Sequence, residues 1–91
     1  MNELSVQVCD VCGRAVFPER VLCPRCGSRT WHPAPAGPGT VAHVTTHRAG
    51  GHIASVAIDR GAVVVARAAD ALAPGARVRL EDDRGAPVAT A

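Results

Sequence analysis

The sequence is nearly empty of aromatic residues: one Trp, one Phe and no Tyr in 91 positions. A chain this short with so few large side chains cannot stabilise a big core by burial alone. Lysine is absent too, and all ten basic residues are Arg. No run approaches the roughly 20 apolar residues of a membrane helix. The opening Met1-Asn2-Glu3-Leu4-Ser5 shows no basic region followed by an apolar stretch. A secretory signal is therefore not expected, and a cytoplasmic location is. A charge excess is also missing: residues 1–35 carry four Arg against three acids, and residues 36–91 carry six against five. Neither part is a basic patch. No phosphate-binding glycine loop of either standard spacing occurs. The 47% hydrophobic content is mostly Ala and Val, and the charged fraction of 20% argues against disorder. These absences leave a small folded chain that needs a staple.

The staple is four cysteines. Cys9 and Cys12, then Cys23 and Cys26, form two Cys-x-x-Cys pairs, and each pair is followed by Gly, at Gly13 and Gly27. Two intervening residues let both sulfurs of a pair turn toward one ion. Two pairs complete the tetrahedral shell zinc prefers, at about 2.3 Å per sulfur. The glycine supplies a positive-φ position where the tight turn releases the chain. Disulfides would suit an exported chain, which this is not expected to be. A redox-active pair would not explain two copies that both end in Gly. The same thiolates also suit iron of the rubredoxin type; both ions fit the spacing, and zinc is the ion favoured in an ordinary cytosol. With all four donors from the protein the site is closed, hence structural rather than catalytic. It consumes every thiol, so no Cys remains as a nucleophile. Bound as four thiolates around Zn2+, the formal charge of +2 falls to zero.

The remainder reads as extended chain. Arms flanking Phe17-Pro18 suit a zinc ribbon, with Trp31 packed against it and covering one side of the metal. Pro33–Gly39, with three Pro and two Gly, reads as a stiff connector and a poor strand interior. Five strand-like runs follow: Thr40–His47, His52–Asp59, Ala62–Arg67, Ala76–Glu81 and Ala86–Ala91. Turn chemistry separates them at 48–51, 59–61 and 82–85. Ala68–Ala73, ending at Pro74-Gly75, suits one or two helical turns. Five strands with a helical link between the third and fourth is the order of an OB-fold barrel. The expected fold is thus mainly β: a rubredoxin-like zinc ribbon over residues 1–35, then a compact five-stranded OB-fold-like barrel over 36–91, with a partly open five- or six-stranded sheet as the alternative. His43 and His47 share a strand side but lie about 13 Å apart, too far for one ion. They read as solvated, as does the turn pair Asp82 and Asp83.

At this point the chain resembles a known family. These are the small acyl-CoA-associated proteins that join a rubredoxin-like zinc ribbon to an OB-fold. The resemblance rests on the two Cys-x-x-Cys-Gly knuckles, on Pro24 and Ser28 around the second, and on Trp31. It continues through Gly37-x-Gly39-Thr40-Val41, Thr45-Thr46, Val56–Gly61 and the Leu72…Pro74-Gly75…Val78 approach to the fourth strand, and spans about residues 9–82. It implies a structural Zn2+ held by Cys9, Cys12, Cys23 and Cys26. It also implies a non-catalytic accessory subunit bound to a thiolase-like or ketosynthase-like enzyme, an acyltransferase or aldolase acting on acyl-CoA. Such a subunit would stabilise the complex and help transfer the acyl substrate, with acyl-CoA met through that partner. Arg48, Arg77 and Arg79 are candidates for a CoA phosphate or a partner carboxylate, against the plainer reading of a solvated face.

A nucleic-acid-binding module is the alternative, because zinc ribbons and OB-folds both occur there. Single-strand binding by an OB sheet stacks bases on aromatic side chains. Residues 32–91 contain none. An independent enzyme would need a nucleophile with a base or an open metal position, and the sequence offers neither.

Overall fold

Alternation of apolar with polar residues lays down strands along most of the chain. The computed structural model describes residues 2–46, 51–68 and 71–91. Among these it contains strands and no helix. The strands are β1 (Asn2–Glu3), β2 (Ser5–Cys9), β3 (Ala15–Val16), β4 (Trp31–Pro35), β5 (Gly39–Thr46), β6 (His52–Ile58), β7 (Val63–Ala68), β8 (Arg77–Asp83) and β9 (Ala86–Thr90).

Five of them close a ring. β5 pairs antiparallel with β6 and with β8, β6 with β7, and β8 with β9. A short parallel contact of β7 with β9, Arg67 opposite Val88 and Ala68 opposite Ala89, completes it. This is the expected OB-like barrel, and its strands fall within two residues of the sequence reading. Inward positions alternate: Ala54, Val56 and Ile58 on β6, Val64, Ala66 and Ala68 on β7, Val78 and Leu80 on β8. Side chains this small allow close strand packing. Gly39 is the extreme case, since a Cβ there would lie 2.6 Å from Val56 Cγ1 and 2.9 Å from the Ala57 carbonyl. The β8–β9 hairpin turns through Arg84 and Gly85, both at positive φ, of 54° and 87°. This suits a tight two-residue hairpin loop. Asp82 Oδ1 accepts the Gly85 N–H at 2.8 Å.

The remaining strands form the ribbon, in the order β3-β2-β4. Val6 and Val8 of β2, with Leu4 and Ala15, join the barrel's Val41, Val56 and Val64 in one apolar core. β1 leaves the ribbon altogether and pairs with β8, Asn2 opposite Asp82 and Glu3 opposite Glu81.

Two expectations are corrected. Residues 33–35 are not a connector: Pro33 and Pro35 belong to β4, opposite Gln7 and Ser5. Prolines are tolerated there because β4 is an edge strand. The Ala36 N–H donates to the Leu4 carbonyl at 2.7 Å, so residues 36, 34 and 32 face β2 and the proline nitrogens face outward. The expected helical turns over Ala68–Ala73 are also absent where described. Ala68 closes β7, 71–73 carry no regular structure, and 69–70 lie outside the described residues. The pull of the β6 and β9 pairings on Ala68 outweighs the weak helix propensity of a few alanines. The turn expected at 48–51 also lies outside the described residues except for Gly51, as do His47 and Arg48.

Candidate metal centre

Two short loops present the cysteines, and they are built alike. In the first, the Cys9 N–H donates to the Arg14 carbonyl and the Gly13 N–H to the Cys9 carbonyl, both at 2.9 Å. In the second, the Cys23 N–H donates to the Ser28 carbonyl at 2.8 Å and the Gly27 N–H to the Cys23 carbonyl at 2.9 Å. Gly13 and Gly27 share the same φ of 76°, the positive-φ turn that the Cys-x-x-Cys-Gly spacing predicts. The two knuckles are thus near-copies that face each other.

Their four sulfurs lie within 4.8 Å of one another. Cys9 Sγ is 3.5 Å from Cys26 Sγ, and Cys12 Sγ is 3.5 Å from Cys23 Sγ. A tetrahedron with metal–sulfur bonds of about 2.3 Å has sulfurs about 3.8 Å apart. The donor set fits a single tetrahedral ion with little adjustment. Cys9 and Cys23 are buried, while Cys12 and Cys26 are exposed, so each knuckle contributes one inner and one outer sulfur.

The electrostatics favour thiolate. The Cys12 N–H, helped by that of Val11, holds Cys9 down at about 6 against the opposing effect of burial. The Cys26 and Arg25 N–H groups lower Cys23 in the same way. Cys26 receives the Ser28 N–H, which lowers it. Burial and the three neighbouring sulfurs prevail and push it up to about 12. Four sulfurs in contact cannot all carry charge without a cation between them. Cys9 and Cys23 arrive already favoured as anions, and the ion that binds displaces the Cys26 proton.

Surrounding contacts brace the loops. The Asp10 N–H donates to the Thr30 carbonyl at 3.0 Å, and Ser28 Oγ and Thr30 Oγ1 are 2.8 Å apart. His32 Nδ1 bonds to Asp10 Oδ1 across the β2–β4 pair. Trp31 stands opposite Cys9, and its indole N–H donates to the Val21 carbonyl at 3.2 Å, tying the inter-knuckle loop to β4. Trp31 therefore packs against the ribbon as expected. Phe17 packs on the core.

The other polar candidates do not converge on this centre. Arg77 is bound to Asp59 through two bonds of 2.8 Å and also donates to Thr40 Oγ1 at 3.1 Å. Arg79 is exposed and lines a shallow cleft with Glu3 and Glu81. His43 is exposed beside a bulge in β5, and His52 contacts Thr46 Oγ1 at 3.2 Å. Asp82 and Asp83 serve the β8–β9 turn and the Arg67 ion pair. Among the described residues no second group of metal-binding side chains forms.

Fold and site together define a rubredoxin-like zinc ribbon joined to an OB-like barrel, with zinc as the structural ion its donors suit. Residues 2–32 match the family described as "ChsH2, rubredoxin-like zinc ribbon domain". Among solved structures the chain is similar to one titled "Ltp2-ChsH2(DUF35) aldolase". That match has a TM-score of 0.73 and 27% identity, and covers 96% of this chain and 83% of that one. Both matches bear out the resemblance to the acyl-CoA-associated ribbon–barrel proteins. No curated protein matches the sequence. Among the described residues, no helix is long and apolar enough to cross a membrane.

Proposed function

We propose that this chain is a non-catalytic accessory subunit. It binds a thiolase-like or ketosynthase-like enzyme, an acyltransferase or aldolase acting on acyl thioesters, and stabilises that complex. Cys9, Cys12, Cys23 and Cys26 hold one structural zinc. The ribbon over residues 1–35 and the barrel over 36–91 act as the two parts of the scaffold, in a cytoplasmic assembly. The observation that carries this reading is the likeness over nearly the whole chain to a structure titled as an aldolase containing a DUF35 component. The chain's own chemistry supports it: the four thiols gather at one closed site, and none is left over to act as a nucleophile.

Native mass spectrometry of the tagged full chain, purified from its own cells, tests the reading. The expected species carries one zinc per chain and a thiolase-like subunit. A zinc-bearing monomer with no such partner, or one carrying nucleic acid, refutes it. So does full activity of the partner enzyme without this chain.

A further inference from the structure

The barrel closes at β7 and β9 through only two residue pairs, and the shortness of that contact has a backbone cause. β6 pairs with β7 from Ala57–Val63 to His52–Ala68, and the Ile58 N–H donates to the Ala62 carbonyl at 3.0 Å. Hydrogen-bonding pairs alternate along an antiparallel ladder. Residues 62, 64, 66 and 68 therefore turn their N–H and C=O toward β6, and 63, 65 and 67 turn theirs to the opposite edge. β9 meets that edge only at Arg67 and Ala68. One step earlier, the parallel register places Pro87 where its nitrogen would have to donate to the Val65 carbonyl, and proline has no N–H. Pairing stops there. The N–H and C=O groups of Val63 and Val65 are left without a chain partner among the described residues.

Four further observations concern the same place. Val63 and Val65 are 57% and 59% exposed, two of the large apolar side chains the surface leaves uncovered. At Val63 the edge opens into a groove of about 340 Å³ between barrel and ribbon, lined by Arg14, Val16, Phe17, Arg20 and Ala62. β3, which supplies Val16, is itself an edge strand of the ribbon sheet. Neither the Arg14 nor the Arg20 guanidinium has an acidic partner among the described residues.

We infer that the β7 edge at Val63–Ala66 is the docking site for an extended segment of a partner protein, which adds to the barrel as a strand. The inference rests on the accessory-subunit reading, and the segment belongs to the enzyme this chain serves. Free backbone donors and acceptors select an extended backbone rather than a helix. The two exposed valines select apolar side chains on the segment's outer face. Arg14 and Arg20 select a carboxylate at the end that enters the groove. The open edge from Val63 to Ala66 spans about 13 Å, so the segment is short.

Residue-resolved amide exchange on the full zinc-bound chain tests this, alone and reconstituted with the enzyme subunit that native mass spectrometry returns. In the free chain the Val63 and Val65 amides exchange freely while those of Val64 and Ala66 are protected. On complex formation both free amides gain at least tenfold protection. Val65→Pro removes an outward donor that the β6 ladder does not use, and weakens the complex at least tenfold with zinc content unchanged. The double change Arg14→Glu with Arg20→Glu weakens it similarly, and with wild-type exchange it decides the matter if the proline variant fails to fold. A complex that forms with both amides still exchanging freely overturns the inference and leaves the accessory role standing. Protection that grows with the concentration of this chain alone assigns the edge to a second copy and also overturns it. Failure of any enzyme complex to form removes the accessory reading and the inference with it.

Discussion

Withdrawal of the metal should unfold the knuckles and spare the barrel. Between Asp10 and Thr30 only Ala15, Val16 and Cys23 are buried. Their burial contributes at most about 6 kcal/mol, taking about 1.5–3 kcal/mol for a fully buried aliphatic side chain and less for alanine. Ordering this segment's backbone costs about 20 kcal/mol or more at about 1–2 kcal/mol per residue. Zinc binding, at about 10–16 kcal/mol apparent in small zinc peptides, is the largest single contribution holding this segment folded. Most of the core residues, by contrast, lie on β5 to β9, and their strands pair with one another without the knuckles. Cys12→Ser removes an exposed donor with almost no change in packing, so it isolates the metal's contribution. Followed by amide exchange and zinc analysis, this variant should lose zinc and all protection over residues 10–30. Protection on β5, β6 and β8 should persist. Retained protection at the Cys23, Gly13 and Gly27 amides in a zinc-free variant would refute the reasoning. It would mean that the loops are held by their own contacts.

Three other perturbations have definite expected outcomes. Gly39→Ala drives a methyl into Val56 and the Ala57 carbonyl, and should cost about 1–3 kcal/mol in urea denaturation. Arg84→Asn keeps the hairpin turn while placing at positive φ a residue that tolerates it, and should stabilise by about 0.5–1 kcal/mol in the same assay. The hydrogen bonds and charge of Arg77 hold the Asp59 carboxyl below its ordinary value. The stability this pair contributes is therefore fully present above the unfolded-state pKa of about 3.9 and is lost as pH falls through the lower folded value. Asp59→Asn should abolish that acid-side slope in denaturation midpoints taken between pH 6 and pH 2. Added salt should diminish the slope in the parent, because both partners are exposed.

The five barrel strands were legible because small apolar residues alternate along them and turn residues separate them. The metal centre was legible because two Cys-x-x-Cys-Gly units leave few other ways to arrange four thiols. Which sulfurs lie inside was not legible, since Cys9 and Cys23 are distinguished only by how β2 and the second knuckle meet the core. β4 was hidden by its two prolines, whose local preference argues against a strand. Only the pairing partner shows that both nitrogens face outward. At Ala68 the helical expectation fails because a few alanines carry a preference too weak to resist the barrel's register. The open edge at Val63 and Val65 depends on Pro87, more than twenty residues away. It emerges only once β7 and β9 are set side by side.

The excursion of β1 onto β8 bears on how the two halves move. The chain touches the barrel at Asn2–Glu3, where the Leu4 N–H also donates to the Leu80 carbonyl, leaves to build the knuckles, and returns through β4 to the Ala36–Leu4 bond. The ribbon is therefore an excursion anchored at both ends, with no free tether on which to swing. Its zinc sits at a fixed bearing from the barrel, and both halves should show one rotational correlation time in solution. A partner gripping the barrel would find the knuckles already aimed. Cutting the chain after Leu4 would turn a clamp into a hinge while leaving every cysteine in place.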